Sequence, residues 1–498
     1  MTLAPVTLRS VLRLGVVRAV RARYFLRSAR DSRAANDDSP FVSRRVVSAR
    51  APKHTREVAC APQAFAALLL FSQPLLAATL PLQQRIDAAA PHSTIRIEAG
   101  VHNGALVINK PLTLAGDAGA EIRGDHTGKV VTIAANDVTL RDLRITGSGL
   151  KLLEDDAAVF VTGNRVTIEH CVIANSLHGV YLKKVSGARV LENRIQGKTT
   201  IPVSGEPVEK GVGQSTENCD TALLNNWRGN GVHQWNCDGN LIRGNDISDT
   251  RDGIYFSFTN NSRAENNYVH QTRYGLHYMY SDTNAVVNNT FSDNAAGGAI
   301  MFSKEALVRG NRFLSNRGQR AYGLIVQSSD RCRFEDNVVE KDAVGLSFNQ
   351  CNGNEIARNR VCDNYIGLKF AANQDSNQFT ENVFAGNLHT VETGGSDIEQ
   401  NAWAVNGVGN LWDNGAEIDL NHDGIGDLPH REVDLFGLLR RNFPPIAFLS
   451  GSPAVKLLQF ANQRAQIPGV SSIEDPAPLT REFWKIRARR ASTAAGAR

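Results

Sequence analysis

Methionine is scarce in this chain of 498 residues, and several common functional patterns are missing. Its seven cysteines form no CxxC motif, which argues against a thiolate zinc site or a thioredoxin-like redox motif. Beyond residue 78, no apolar run reaches the roughly 18 residues of a membrane span. Residues 63–498 carry 42 Lys/Arg against 46 Asp/Glu, with no continuous basic stripe. This acidic body is not expected to bind nucleic acid.

The N-terminal 78 residues have the features of an export leader. Residues 1–62 are basic, with 13 Lys/Arg and four Asp/Glu, and residues 64–78 form a short apolar segment that ends in small residues. This order is typical of a Sec-type signal peptide that is cleaved near residue 78. The leader predicts a periplasmic protein whose mature form has no membrane span. Disulfides are permitted in that compartment, and Cys219 and Cys237, which flank a loop, are a plausible pair.

A repeat of about 22 residues runs along most of the chain. It is marked by an Asn followed two positions later by an apolar residue, at Asn245, Asn267, Asn289, Asn311, Asn337, Asn359 and Asn382. A glycine followed by an apolar residue recurs with the same period, at Gly231, Gly253, Gly275, Gly323, Gly345 and Gly367. The segments between these turn residues are too short for helices, so each repeat is predicted to form three short strands.

This repeat predicts an all-β fold, a right-handed parallel β-helix over residues 79–430. Asn tolerates the left-handed backbone of a sharp corner, and stacked Asn side chains can hydrogen-bond from coil to coil. A leucine-rich repeat is excluded because the LxxLxL pattern and the helix-sized spacer are absent. The 52-residue step from Asn193 to Asn245 indicates one coil plus an insertion, at residues 197–229.

Helices are predicted to close both ends of the coils, because an uncapped solenoid exposes unpaired strands. The segment LQQRIDAAA at 82–90 is the expected N-terminal cap. Residues 431–498 are interpreted as a C-terminal cap helix followed by a tail. The helix is expected to begin at Ser452-Pro453 and to end near residue 464, since Ser is a good N-cap and Pro suits a first turn. Residues 468–498 are predicted to be weakly ordered.

The repeat places the two internal methionines on neighbouring coils. Met279 and Met301 are 22 residues apart, in the matching segments Met-Tyr-Ser and Met-Phe-Ser. Adjacent coils lie about 4.8 Å apart, and alternate residues of a strand share a face. His277 and Met279 are therefore predicted to point outward together. The residues expected to point inward are Leu276, Tyr278 and Tyr280.

Thioether and imidazole ligands together select Cu(I), so His277, Met279 and Met301 are candidate copper ligands. His233, two coils below His277, is a further candidate. The competing interpretation is that both methionines are packing residues.

The copper hypothesis depends on the alignment of one corner. It requires that Gly297 be equivalent to Gly275, because Met301 turns inward if Gly298 takes that place. The same outward face carries Trp235 and Tyr255, which are predicted to form a docking surface for a partner protein.

A second candidate metal site lies near the end of the repeat. Asp419, Asn421 and Asp423 are spaced like the first ligands of an EF-hand loop, which alternates oxygen ligands before a tight turn. The bidentate Glu of that loop is missing, and Asp427 is the possible substitute. Structural calcium and a metal-free Asp/Asn/Gly turn both remain open.

Catalysis is the main alternative, since many β-helices cleave or epimerise acidic polysaccharides. Such enzymes need a carboxylate cluster, or a basic residue beside calcium, in a groove on one face. Asp155, Asp156 and Asp252 form no convincing pair at matched coil positions and are interpreted as turn residues. The chain is therefore predicted not to be an enzyme, with a secreted polysaccharide lyase or epimerase as the alternative.

Several segments resemble the NosD family of periplasmic maturation proteins: RDGIYF (251–256), RYGLHYMYSDTN (273–284), AGGAIMFS (296–303), VETGGSDIEQNAW (391–403), GNLWDNGAEIDLNHDGIGDLPHR (409–431) and FPPIAFLSGSPAVKLL (443–458). The resemblance implies copper supply for the copper–sulfide centre of nitrous oxide reductase. The implied partners are an ABC-type ATPase and membrane permease, a copper-chaperone lipoprotein and the apo-reductase. A metal-free assembly scaffold is the third possibility.

Overall fold

The computed structural model describes residues 80–487 except 200–227 and short gaps at 318–320, 373, 395–397, 399, 416–417, 450–451 and 465–471. The predicted leader and signal peptide lie outside the described residues, as does most of the predicted insertion.

The described chain forms a right-handed parallel β-helix of about twelve coils, which confirms the fold predicted from the repeat. Each strand pairs in parallel with its equivalent on the next coil. Sheet 1 consists of Thr94–Ile97, Thr113–Gly116, Thr139–Arg141, Thr167–Glu169, Arg189–Leu191, Leu241–Arg243, Arg263–Glu265, Ala285–Val287, Leu307–Arg309, Arg333–Glu335, Glu355–Ala357 and Gln378–Thr380. Sheet 2 consists of Gly100–Asn103, Ala120–Arg123, Arg144–Thr146, Val172–Ser176, Arg194–Gly197, Asp246–Ser248, Tyr268–His270, Thr290–Ser292, Arg312–Leu314, Val338–Glu340, Arg360–Cys362, Val383–Ala385 and Leu411–Trp412. Sheet 3 consists of Leu106–Ile108, Val131–Ile133, Ala157–Val161, His178–Lys183, Val232–Trp235, Asp252–Ser257, Tyr274–Met279, Ala296–Met301, Tyr322–Gln327, Val344–Asn349, Ile366–Phe370 and His389–Glu392.

A ladder of buried Asn side chains joins the coils at the corner between sheets 1 and 2. The Nδ2 of each Asn donates to the Oδ1 of the next at 2.8–3.1 Å. The ladder runs from Asn193 to Asn410, and Asp475 ends it by accepting from the backbone N–H of Asn410 at 2.7 Å. The predicted stacking of Asn is therefore present, and it fixes the register between coils.

The core lies inside the coils and is filled by the inward residues of the three sheets. Their aromatic members stack from coil to coil, as Phe291 and Phe313 do with ring centroids 5.2 Å apart. Such stacking between coils contributes to the tight packing expected of a protein interior.

Helix α1, Leu82–Ala88, caps the N-terminal end with Leu82 and Ile86 buried. The side chain of Gln83 accepts from the backbone N–H of Val107 at 2.8 Å and donates to its carbonyl at 3.1 Å. Gln83 therefore satisfies backbone groups at the exposed end of sheet 3, where an unpaired strand edge would otherwise invite association.

The C-terminal end contains helix α2, Leu435–Asn442, and helix α3, Pro453–Arg464, of which only α3 was predicted. Strand His430–Val433 pairs antiparallel with Ser472–Asp475, and the second of these strands lies in the segment 468–498 that was predicted to be weakly ordered. Two 3₁₀ segments, Leu152–Glu154 and Pro444–Leu449, are also present, and residues 483–487 are helical. No helix in the described part of the chain is long and apolar enough to cross a bilayer.

The five described cysteines are free thiols, and all are buried. Burial raises the pKa of Cys171 and Cys332 to about 12 and that of Cys351 to about 11, so these thiols stay protonated at neutral pH. Cys237, predicted to pair with Cys219, is a free thiol in the structure, and Cys219 lies outside the described residues.

Candidate metal centre

The register between two neighbouring coils of sheet 3 decides where the methionines lie. Leu276 pairs with Gly298 and Met279 pairs with Met301, so Gly297 is the corner residue equivalent to Gly275. A Cβ on Gly275 would lie 2.6 Å from the carbonyl oxygen of Gly297, which is why this column needs glycine. The alignment required by the copper hypothesis is the one in the structure.

Met279 and Met301 lie side by side on the outer face of sheet 3, and both are half-buried. The hydroxyl of Tyr255 contacts the Sδ of Met279 at 3.8 Å. His277 shares the face, two residues before Met279, and its neighbour on the next coil is Ala299. Ala299 carries only a methyl group, so within the described chain no aromatic ring stacks on His277 from the coil that carries Met301.

The His277 ring is buried and held by a carboxylate. Its Nδ1 lies 2.8 Å from the Oδ2 of Asp252, and Tyr255 stacks on the ring with centroids 4.3 Å apart. Among the described residues, no hydrogen bond engages its Nε2. A metal-binding His commonly donates its other nitrogen to a carboxylate, which leaves the free nitrogen as an acceptor for the metal.

Asp252 is anchored by Arg273, whose Nε and Nη2 bind its two oxygens at 2.9 and 2.7 Å. Burial by itself would raise the pKa of Asp252, but the charge of Arg273 and the hydrogen bonds from His277 and Arg273 hold that pKa below its ordinary value. Asp252 is therefore ionised at neutral pH. The prediction that Asp252 is merely a turn residue is wrong, because its carboxylate is fully buried in this network.

Sequence reasoning missed Asp252 and Arg273 as site residues. One signal was available, since Arg251 and Arg273 are 22 residues apart and must stack on neighbouring coils. Two stacked like charges need a nearby counter-ion, and Asp252 follows Arg251 directly.

The structure separates His233 from the other candidate copper ligands. Tyr255 lies between His233 and His277, with ring centroids 4.7 Å and 4.3 Å away. The two imidazoles are two strand spacings apart, about 10 Å, which is too far for one ion to bind both. His233 is therefore removed from the ligand set.

The two predicted docking residues are less available than expected. Tyr255 is packed between His233 and His277, so it presents no free face to a partner. Trp235 is half-buried, and the amines of Lys183 and Lys184 lie 5.5 and 5.7 Å from its ring centroid.

A different set of aromatic side chains borders the methionines. Phe258, Tyr280 and Phe302 are 50%, 48% and 41% exposed, and successive rings stack with centroids 5.2 and 5.1 Å apart. We call these three residues the aromatic stack. The prediction that Tyr280 points inward is wrong, because all three residues have a left-handed backbone, with φ of 50–53°, which breaks the alternation of a strand.

In the predicted calcium loop, oxygens of all four side chains accept backbone hydrogen bonds. Asp419 accepts from Gly424 at 2.8 Å, Asn421 from Asp423 at 2.9 Å, and Asp427 from Leu420 at 2.6 Å. Asp423 itself accepts from Ile425. No group of three His, Cys, Asp or Glu side chains in the described chain is arranged to hold a metal. Calcium in this loop therefore stays a prediction.

Comparison with known proteins identifies the family. A family model described as "Periplasmic copper-binding protein (NosD)" matches residues 212–416, and a model for proteins of unknown function (DUF1565) matches residues 79–299. A Pseudomonas aeruginosa protein named "Probable ABC transporter binding protein NosD" is 32% identical over 406 residues, which cover 77% of this chain and 87% of that protein. This chain belongs to the NosD family. A NosD relative of the same name from Stutzerimonas stutzeri is 29% identical over 436 residues, 83% of this chain and 92% of that protein.

Solved structures share the β-helix with this NosD-family chain at low identity. The mannuronan C-5 epimerase AlgE6 A-module of Azotobacter vinelandii is 13% identical, with a TM-score of 0.45 over 65% of this chain and 94% of that one. A mannuronic acid specific polysaccharide family 6 lyase from human gut microbiota is 14% identical, with a TM-score of 0.43 over 77% of this chain and 96% of that one. Likenesses at this level support no inference about activity. The two NosD relatives are named as binding proteins.

Proposed function

We propose that this NosD-family protein is a periplasmic, non-enzymatic protein that holds Cu(I) and passes it on during assembly of the copper centre of nitrous oxide reductase. The observation that carries the proposal is the pairing of Met279 with Met301 beside an imidazole that Asp252 orients. The ligands would be the two Sδ atoms and the Nε2 of His277. Copper is the cargo of this protein rather than a resident cofactor.

The chemistry of this ligand set suits a transfer step. Two thioethers and a neutral imidazole are soft, uncharged ligands that favour Cu(I) over harder ions. Both methionines are half-buried rather than enclosed, so an acceptor can approach the ion from solvent. A neutral, partly open site holds the ion without the strong attraction of thiolates, which favours release.

The proposed partners are an ABC-type ATPase and membrane permease, a copper-chaperone lipoprotein and apo nitrous oxide reductase. The name of the two relatives, which refers to an ABC transporter, supports the transporter partnership. The family description supports copper binding in the periplasm, and residues 1–78 would supply the signal peptide.

We expect the purified mature protein to bind one Cu(I), measured by competition with a chromophoric chelator. X-ray absorption should show sulfur and nitrogen scatterers around the ion. No Cu(I) binding, together with binding of the transporter and the apo-reductase, would favour the metal-free scaffold. Turnover of alginate or pectin would instead support the lyase or epimerase alternative.

The aromatic stack is proposed as the contact surface for the protein that exchanges copper. Tyr280 and Phe302 directly follow Met279 and Met301, so a partner seated on the stack lies beside the ion. Exposed stacked aromatics are typical of interface anchors. We expect the triple change Phe258→Ser, Tyr280→Ser and Phe302→Ser to slow copper transfer at least about 10-fold, the result of losing more than about 1.4 kcal/mol of binding.

The Cu(I) affinity of this triple variant should stay within about twofold of wild type, because no proposed ligand is changed. Tyr268→Ser is the matched control, since Tyr268 is 44% exposed but lies on sheet 2. Unchanged transfer in the triple variant would show that partners dock elsewhere.

A further inference from the structure

Arg251 and Arg273 occupy equivalent corner positions on neighbouring coils. The backbone N–H of Arg273 donates to the carbonyl oxygen of Arg251 at 2.8 Å, so two guanidinium groups start from adjacent points of the same column. Their like charges repel. The pKa of Arg251 is lowered, first by burial and then by the charge of Arg273.

Asp252 is the carboxylate next to this pair of arginines, and both of its oxygens already have hydrogen-bond partners. Both oxygens of Asp252 bind Arg273, and one of them also binds His277. Within the described part of the chain, Arg251 has no ion pair, and its buried Nε has no hydrogen-bond acceptor. A buried donor without an acceptor costs about 1–3 kcal/mol, and more when the group is charged.

His233, on the coil that precedes Arg251, presents a second unsatisfied nitrogen. Its Nδ1 lies 3.2 Å from the Nδ2 of Asn230, an amide donor, so Nδ1 accepts and the proton is on Nε2. That Nε2 is buried and lacks a hydrogen-bond partner among the described residues. Burial and, less strongly, the charges of His178 and Arg251 hold the pKa of His233 well below its ordinary value, so the ring is neutral.

The unsatisfied nitrogens of Arg251 and His233 are both donors, and their complement is an acceptor that carries negative charge. We infer that Arg251, with His233 on the preceding coil, forms a binding site for a small oxyanion or carboxylate beside the coils that carry the proposed copper ligands. A guanidinium fork binds such planar or tetrahedral anions through two N–H groups.

We also expect anion binding to be coupled to Cu(I) binding, and this coupling rests on the proposed function. Cu(I) bound by neutral ligands adds one positive charge to a region that holds two guanidinium groups and one carboxylate. An anion at Arg251 offsets that charge, so anion and Cu(I) should each strengthen the binding of the other. Such coupling is reciprocal and is commonly 5- to 150-fold.

The anion site is tested on the metal-free mature protein, in a zwitterionic buffer of low ionic strength, by isothermal titration with phosphate, sulfate and acetate. We expect saturable binding of at least one of these anions to wild type. Arg251→Gln should lose it, and Arg251→Lys should keep weaker binding because the charge remains. Arg312→Gln is the matched control, since Arg312 is exposed on sheet 2, away from this face.

Arg251→Gln also provides an independent readout of folding. Without anion, its melting temperature should equal or exceed that of wild type, because an unpartnered buried charge has been removed. A wild type that binds none of the three anions, or an Arg251→Gln protein that binds them as well as wild type, overturns the anion site.

The coupling is measured as Cu(I) affinity with and without the anion that binds. At least fivefold tighter Cu(I) binding in the presence of the anion is expected in wild type, and none in Arg251→Gln. Equal affinity in wild type overturns the coupling. Anion binding without any Cu(I) binding would instead reject the proposed function and leave the anion site in place.

Discussion

Replacing both methionines, with Met279→Leu and Met301→Leu, is expected to lower Cu(I) affinity at least about 100-fold. Changes to outer-shell partners of a metal commonly cost 10- to 100-fold, and this variant removes two of three proposed ligands. Leu has nearly the volume of Met, so the folded structure should be retained. Competition titration with a Cu(I) chelator gives the affinity, and thermal unfolding monitors the fold.

Single variants and a control separate coordination from packing. Met279→Leu and Met301→Leu should each weaken binding, by less than the double variant. Gln327→Leu is the matched control, because Gln327 pairs with Met301 in the same outward column and carries no soft ligand. Wild-type affinity in the double variant would mean that both methionines are packing residues.

Asp342→Asn is expected to stabilise the protein, with a gain of about 2–4 kcal/mol at pH 8. Asp342 occupies a ladder position that neighbouring coils fill with Asn316 and Asn364. Those Asn residues donate to backbone carbonyls, whereas the Oδ2 of Asp342 is buried without a hydrogen-bond partner in the described structure. An amide at this position supplies the donor and removes the buried charge.

The stabilisation by Asp342→Asn should increase with pH. Burial raises the pKa of Asp342 to about 8, whereas the unfolded chain has an ordinary value near 3.9. The folded state therefore binds the proton more tightly, and wild-type stability falls as pH rises between these values. The variant's advantage should be small near pH 4, grow towards pH 8 and then level off.

Denaturant unfolding at pH 5 and pH 8 measures this dependence. Asp363→Asn is the control, because Asp363 is an exposed carboxylate on the next coil of the same cleft. We expect its effect to be within about 0.5 kcal/mol at both pH values. A destabilised Asp342→Asn protein would show that the carboxylate has a cation partner in solution.

The coils were predictable because they repeat a local pattern. Each Asn at the ladder corner has its own turn preference and hydrogen-bonding groups, so Asn245 and Asn289 each predict a corner at the same place in their coils. Helix α3 was predicted from its capping residues for the same reason. Helix α2 and strand Ser472–Asp475 were missed, since that strand depends on a partner about 40 residues away.

The candidate site was predictable only in part. The period of 22 residues placed Met279 beside Met301, and the structure has that alignment. Tyr280 was assigned to the wrong side because strand alternation does not continue through a left-handed corner. His233 was grouped with His277 because the period gives the column but not the ring of Tyr255 that lies between them.

The sequence alone therefore determined the coil length, the register and the placement of the two internal methionines on neighbouring coils. These features follow from spacing along the chain and from the preferences of single residues. Only the tertiary structure decided how charges are shared between coils. Asp252 binds both Arg273 and His277, which leaves Arg251 without an acceptor in the described chain and the Nε2 of His277 available. Such partnerships depend on side-chain directions at a corner, and no local pattern encodes them.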